Sequence, residues 1–244
     1  MRLTRVFVDA PLAPGAELAL PDAVAAHLVR VLRLQPGDAC VLFNGDGHDH
    51  AARLVAADKR GARVQVGAGT VVDGESPLRI TLVQGIARGE KMDWILQKAT
   101  ELGIHAIVPV GSERSEVKLD PERAGKRLAH WRSVVVSACE QCGRARVPEI
   151  AAAQSLQAAL SDLPAVPRFL LDPEAMQSIA GIPQPLASGC VLAVGPEGGW
   201  SPRDREVLQQ AGFSGLRLGP RILRTETAGI AAIAALQAHF GDLS

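Results

Sequence analysis

Two segments near the C-terminus carry the residue types that ligand-binding loops use. The first is Gly195-Pro196-Glu197-Gly198-Gly199, directly after the apolar run 191–194. The second is Leu218-Gly219-Pro220-Arg221-Ile222-Leu223-Arg224-Thr225-Glu226-Thr227-Ala228, which leads into a run rich in Ala and Ile. A glycine-rich turn between strand and helix usually takes phosphate, because bare N–H groups and the helix start attract anions. Here Glu197 stands in mid-loop, where a carboxylate repels phosphate. Neither G-x-G-x-x-G nor G-x-x-x-x-G-K-[ST] occurs anywhere in the chain. Backbone groups with one carboxylate better suit a neutral or cationic ligand, such as an adenosine bearing a sulfonium. The same residues fit a tight turn in which Gly198 or Gly199 takes positive φ. On the residues alone both readings stand open.

Other reactive residue types carry less. Cys139 and Cys142 form a single C-x-x-C, and Cys40 and Cys190 stand apart. A structural zinc needs four ligands, and no second pair is available at a suitable spacing. The pair also falls inside a predicted helix, without the context of a redox motif. No metal is expected. His48 and His50 leave a turn and are expected in solvent. Lys98 and Glu101 lie three apart on one helical face and can pair with each other.

The elements that must hold the two loops can be read from periodicity. The first part of the 244-residue chain is small and β-rich. Leu3, Val6 and Val8 begin a strand. Pro21-Asp22 starts a helix with Val24, Leu28, Val31 and Leu32 on one face. Asn44-Gly45-Asp46-Gly47 is a strong hairpin signal between strands at 39–43 and 48–56, with another at 62–66. Asp73-Gly74-Glu75-Ser76-Pro77 reads as a linker. Beyond it strands and helices alternate: strand 78–83, helix 90–102, strand 104–110, and a long helix opened by Asp120-Pro121. Strands at 168–171, 191–194 and 216–218, a helix from Ser201-Pro202 and a last helix over 225–240 complete the pattern. Alternation of this kind implies an α/β fold with a mostly parallel sheet, whose ligands sit at the carboxyl ends of the strands. The expected domains are 1–72, a linker at 73–77, and 78–244.

Hydrophobic residues make up 47% and charged residues 21%, the balance of a globular protein rather than a membrane or disordered one. The run 228–240 is too short and Ala-rich to span a bilayer, and the N-terminus lacks the apolar core of a signal peptide. A cytoplasmic location with no membrane partner is expected. Net charge is zero, which argues against coating nucleic acid by charge alone. The distribution is uneven: residues 79–146 carry 12 Lys/Arg against 8 Asp/Glu, while 147–244 carry 6 against 9. The middle of the chain is therefore the better candidate for phosphate contact. Aromatic residues are only 3%, so a row of base-stacking rings is not expected.

The two C-terminal segments resemble the cofactor motifs of the SPOUT methyltransferases. The whole chain resembles the RsmE family, which methylates N3 of a uridine in 16S ribosomal RNA. Also similar to that family are Lys98-Ala99-Thr100-Glu101-Leu102-Gly103, Glu113-Arg114-Ser115 and Ala138-Cys139-Glu140-Gln141-Cys142-Gly143-Arg144. In the first domain, His27-Leu28-Val29-Arg30-Val31-Leu32-Arg33 and Phe43-Asn44-Gly45-Asp46-Gly47 match as well. The resemblance implies an N-terminal PUA-like β-barrel and a C-terminal α/β trefoil-knot domain, working as a homodimer on 16S ribosomal RNA or the small ribosomal subunit. It places S-adenosyl-L-methionine among Leu171, Gly195, Pro196, Glu197, Gly198, Leu218, Gly219, Ile222, Leu223, Arg224, Thr225, Thr227 and Ala228. Removing the N3 proton spreads negative charge over the uracil oxygens. Arg224 and Arg144 are expected to stabilise that charge, with Glu226 or Glu140 as a base in their place. Arg5, Arg30, Arg33, Lys91, Lys98 and Arg114 are expected to face RNA. Rival readings are a knot methyltransferase acting on ribose or another base, and a non-catalytic RNA-binding protein. Intact cofactor loops disfavour the latter.

Overall fold

The computed structural model describes residues 3–58, 61–117, 120–186 and 188–243. It forms two compact units, Met1–Glu75 with Cys139–Val147, and Ser76–Ala138 with Pro148–Ser244.

In the first unit the strands are β1 (Arg5–Phe7), β2 (Glu17–Ala19), β3 (Ala39–Phe43), β4 (His48–Asp58) and β5 (Gly61–Val71). They form one sheet in the order β1-β3-β4-β5-β2, parallel only between β1 and β3. Alternation along β4 and β5 turns Ala52, Leu54, Val64 and Val66 inward, where they pack with Val6, Leu28 and Leu42. Gly45 and Gly47 supply the positive φ of the hairpin turn, at 94° and 95°. His50 departs from expectation: it lies on the inward face of β4 and is 6% exposed. Period-2 alternation with Ala52 and Leu54 puts it there, a signal that outranks closeness to the turn.

The short helix α1 (Asp22–Ala26) widens into a π turn over His27–Val31. That widening breaks the 3.6-residue spacing on which the apolar face was drawn. Leu28 stays fully buried, but Val31 and Leu32 are 66% and 39% exposed. Arg33 follows with φ 59°, a left-handed conformation uncommon outside glycine.

The segment Cys139–Val147 counts with the first unit because several contacts converge on it. Cys139 and Ala145 pack with Phe43, Phe7, Val72 and Val147 in a small apolar cluster. The Arg5 guanidinium donates to the carbonyls of Cys139 (2.8 Å) and Arg144 (3.2 Å), and the Phe7 N–H to Glu140 Oε1 (3.0 Å).

The second unit holds β6 (Ile80–Gly85), α2 (Glu90–Glu101), β7 (Ala106–Gly111) and α3 (Pro121–Cys142), the end of which belongs to the first unit. There follow β8 (Glu149–Ile150), β9 (Gln154–Ser155), α4 (Leu156–Ala159), β10 (Arg168–Leu171), β11 (Cys190–Val194), α5 (Pro202–Gln210), β12 (Phe213–Leu216) and α6 (Thr225–Phe240). The sheet runs β12-β10-β11-β6-β7-β8, with β9 also on β7, and its pairings are parallel. This is the α/β class expected. Every residue of β6 and of β11 is buried, as central parallel strands covered on both faces must be. The strand expected at 216–218 lies earlier, because Phe213 and Leu216 are its inward residues and Gly212 (φ 83°) turns the chain into it. Helix α6 packs on α2, and its Gln237 amide donates to the carbonyl of Leu102 (3.2 Å). Among the described residues, no helix is long and apolar enough to cross a membrane.

Candidate cofactor cleft

The carboxyl ends of β10, β11 and β12 open onto one cleft of about 510 Å³. Small-molecule sites commonly span roughly 300–1,000 Å³. Three chain segments build it. Strand β10 ends at Leu171 and continues into Asp172 and Pro173. Strand β11 leads into Gly195–Trp200, and β12 into Leu218 and Gly219 and on through Arg221 to the first turn of α6. Of the residues expected around a cofactor, Leu171, Gly195, Pro196, Glu197, Gly198, Leu218, Gly219, Ile222, Leu223, Arg224, Thr225 and Ala228 all line this space. Thr227 does not. It points outward from the first turn of α6 and is exposed, because neighbours of Thr225 and Glu226 fall on another helical face.

The turn after β11 is held from several sides. Gly199 takes φ 66° and its N–H closes on the Pro196 carbonyl (2.8 Å), so Gly199 is the position that needs glycine's freedom. Gly85, at the end of β6, lies so close beneath that a Cβ there would sit 2.5 Å from the nitrogen and Cδ of Pro196. On the opposite side the backbone of Arg114 approaches Gly198, and the Arg114 guanidinium donates to the Gly198 carbonyl (3.2 Å). Downstream, Ser201 and Asp204 form a reciprocal capping box that fixes the start of α5.

Glu197 is engaged by the protein. Its Oε1 accepts from the Arg88 N–H (3.1 Å) and from Lys91 Nζ (3.1 Å). Burial by itself would raise its pKa. The hydrogen bonds from the Arg88 and Glu197 N–H groups and the Lys91 ammonium reverse this and hold the carboxyl below its usual value of 4.5. A carboxyl with a lowered pKa contributes above that usual value and loses its contribution as pH falls through the depressed one. Glu197→Gln is therefore expected to weaken ligand affinity at pH 7 by a few-fold, the scale of a partly exposed ion pair (about 1 kcal/mol or less). Titrations over a pH series from 7 downward check this, because wild type and variant should converge only once the pH falls below the lowered value. A pH-independent gap would remove the ion pair as its cause.

Among the described residues, two buried polar atoms of cleft-lining side chains lack partners. Trp200 is 3% exposed and its indole N–H donates to nothing in the protein. Glu226 is 6% exposed and its Oε2 accepts from nothing. Unmet buried groups in a native fold call for a cause, and a polar ligand in the cleft provides one. A buried donor and a buried acceptor beside the apolar residues Leu171, Leu218, Ile222 and Leu223 suit a nucleoside. Among the described residues no group of three His, Cys, Asp or Glu side chains could hold a metal ion.

The structure separates the other candidate residues. Arg224 is exposed on the cleft wall, just before α6. Arg144 belongs to the first unit, where its buried guanidinium grips Glu75, with Nε 3.1 Å from Oε1. Glu140 accepts from the Phe7 N–H in the same unit. Arg5 is corrected as an RNA contact: it is 8% exposed, bonds Asp49 (2.6 Å) and stacks over Phe43. Cys139 is a packed thiol, its pKa pushed up to about 12 chiefly by burial. Lys98 pairs with Glu101 (2.9 Å). Lys91 and Arg114 border the cleft instead of standing apart from it, while Arg30 and Arg33 are exposed in the first unit.

Sequence reading missed Asp172, Arg205 and Trp200. Asp172 immediately follows β10 and is ion-paired with Arg205 of α5, and both line the cleft. The rule that ligands meet strand carboxyl ends would have found Asp172. Trp200 directly follows the Gly195–Gly199 segment and could have been read with it, whereas Arg205 carries no local signal, because only tertiary folding brings it there.

A parallel α/β unit with its cleft at the strand ends, beside a small β unit, defines a class on comparison with known proteins. The RNA methyltransferase domain family matches residues 74–237, and the RNA methyltransferase PUA domain family matches residues 20–67. The ribosomal RNA small subunit methyltransferase E of Buchnera aphidicola subsp. Schizaphis graminum is 34% identical over 100% of this chain and 99% of its own. A crystal structure of that enzyme from Neisseria gonorrhoeae, bound to S-adenosyl methionine, is 41% identical with a TM-score of 0.91 over 100% of both chains. Lpg2936 from Legionella pneumophila, solved in complex with bound cofactor SAM, is 36% identical with a TM-score of 0.94 over 100% of both chains. The chain belongs to the ribosomal RNA small subunit methyltransferase E family.

Proposed function

We propose that this protein transfers the methyl group of S-adenosyl-L-methionine to N3 of a uridine in 16S ribosomal RNA. The observation that carries the reading is the cleft itself: both motif loops converge on it, and it presents an unpaired donor and an unpaired acceptor from Trp200 and Glu226. Family membership and the cofactor-bound relatives support the same assignment. S-adenosyl-L-methionine, when bound, supplies an electrophilic methyl on a sulfonium.

The protein's own task is to align and to move a proton. Leu171, Gly195, Pro196, Gly198, Leu218, Gly219, Ile222, Leu223, Thr225 and Ala228 form the walls of the binding space. Such positioning can remove a large share of a displacement barrier. As the N3–C bond forms and the C–S bond breaks, the N3 proton must leave. Glu226, buried and with a free oxygen, accepts it, and Arg224 on the cleft wall offsets negative charge on the uracil oxygens. The protein works in the cytoplasm as a homodimer, on the small ribosomal subunit, with residues 1–72 and 78–244 as its RNA-reading and catalytic domains.

RNA contact in the first unit centres on Arg30 and Arg33, which flank the exposed Val31 and Leu32 on the π turn. Two cations beside an apolar tip suit a phosphate backbone with an unstacked base. Arg30→Ala with Arg33→Ala is expected to weaken RNA affinity and to reduce the slope of log K against log salt by about two. Filter binding across a salt series measures both, and an unchanged slope would place the phosphates elsewhere.

The test of function supplies purified protein with labelled S-adenosyl-L-methionine and small subunits lacking native methylation, then identifies methylated nucleosides by mass spectrometry. 3-Methyluridine is the expected product. A different methylated nucleoside overturns the target and leaves the cofactor in place.

A further inference from the structure

Gln84 is the last but one residue of β6 and is completely buried. Its side-chain amide donates to Thr225 Oγ1 (3.1 Å) and to the Gly85 carbonyl (2.9 Å). The Thr225 hydroxyl in turn donates to the Gly195 carbonyl. One buried chain of hydrogen bonds thus ties the central strand, the turn after β11 and the first turn of α6. Meanwhile Gln84 Oε1 has no hydrogen-bond partner among the described residues. It faces α6 at Gly229, where a Cβ would stand 3.6 Å from that oxygen.

An unmatched acceptor in the core works against stability, and an apolar side chain of similar length would fill the same space without it. Gln84 is therefore poorly explained as packing. What it does supply is a donor at the one point where both cofactor-facing loops can be reached at once. Thr225 by itself links those two segments to each other, and Gln84 ties that link to the buried strand β6.

We propose that Gln84 is a positioning residue for the methyl-transfer site, acting through Thr225 to fix the turn at Gly195 and the start of α6 in mutual register. It touches neither ligand nor substrate. The inference rests on the reading that the cleft binds S-adenosyl-L-methionine.

Calorimetric titration of the wild-type protein with S-adenosyl-L-methionine comes first, since absence of binding there overturns the cofactor reading and this inference with it. Given binding, Q84M and T225V are each expected to weaken affinity about tenfold, the scale of one buried hydrogen bond. T225S, which keeps the hydroxyl but trims a methyl from the cleft wall, should lose clearly less affinity than T225V. The double variant Q84M/T225V should bind about as well as either single one, because both break the same chain. Thermal melting should show Q84M cooperatively folded, with its midpoint lowered no more than that of T225V, since each variant leaves buried groups of the same chain unpaired. Unchanged affinity in Q84M, or losses that add in the double variant, would overturn the proposal while the cofactor reading survives. If Q84M fails to fold, the T225V and T225S pair decides, and equal affinity of those two overturns it.

Discussion

Glu226→Gln is expected to lower turnover by roughly 10²–10⁴, the usual contribution of a positioned proton acceptor. The carboxyl sits in the first turn of α6, lines the cleft, and has one oxygen buried without a partner. The amide has the same shape and can fill the same space, yet it cannot take a proton. Because Glu226 is also an acceptor facing the cleft, cofactor affinity should fall modestly, by far less than the chemical step slows. Single-turnover methyl transfer, paired with calorimetric binding of S-adenosyl-L-methionine, separates the two quantities. Undiminished single-turnover rate in the variant would remove Glu226 as the base and leave charge stabilisation by Arg224. Arg224→Ala is then the complementary experiment. It should reduce turnover more than affinity, because Arg224 is exposed at the cleft and forms no side-chain cap for α6.

The second large effect is expected from Gly85→Ala. The added Cβ would stand 2.5 Å from Pro196 nitrogen and Cδ and 3.0 Å from the Gly195 carbonyl carbon. These are backbone and ring atoms, so no flexible side chain can give way. Either the turn after β11 moves or β6 does, and β6 is buried along its whole length between β11 and β7. The turn moves more easily. Displacement of a binding loop by about 1 Å can cost on the order of 100-fold, and overpacking costs roughly 1–3 kcal/mol of stability besides. Calorimetry and thermal melting measure the two losses. Gly125 in α3 is the control, since nothing lies within 4 Å of a Cβ there and the helix favours alanine. Wild-type affinity in Gly85→Ala would mean that the turn tolerates the shift and is not tightly placed.

Local sequence patterns determined much of this protein. Alternation in β4 and β5, the glycines of the Asn44–Gly47 turn, the Asp120-Pro121 and Ser201-Pro202 helix starts and the apolar runs of β7 and β11 each act over a few residues. Their physics is complete within that span: the pleat, the positive φ, the first-turn N–H groups that need acceptors. The two glycine-rich segments were legible as a pair only through their resemblance to a known family, since on the residues alone a ligand loop and a tight turn stood equally open. Twelve of the residues drawn from them and from Leu171 line the cleft.

Tertiary structure alone decided the fate of isolated charges. Arg5 and Arg144 carry nothing in sequence to distinguish them from Arg30 and Arg33, yet the first pair is buried on Asp49 and Glu75 and the second is exposed. A charge can be buried only where a partner compensates it, and those partners stand 44 and 69 residues away. The same holds for Glu197, whose Oε1 accepts from Lys91 and the Arg88 N–H, 106 and 109 residues away. Thr227 differed from its neighbours by helical phase, which depends on where α6 begins. Gln84 and Arg205 were invisible for a related reason. A hydrogen bond between distant segments leaves no trace in the spacing of either one, and only the packed sheet sets its two ends within reach.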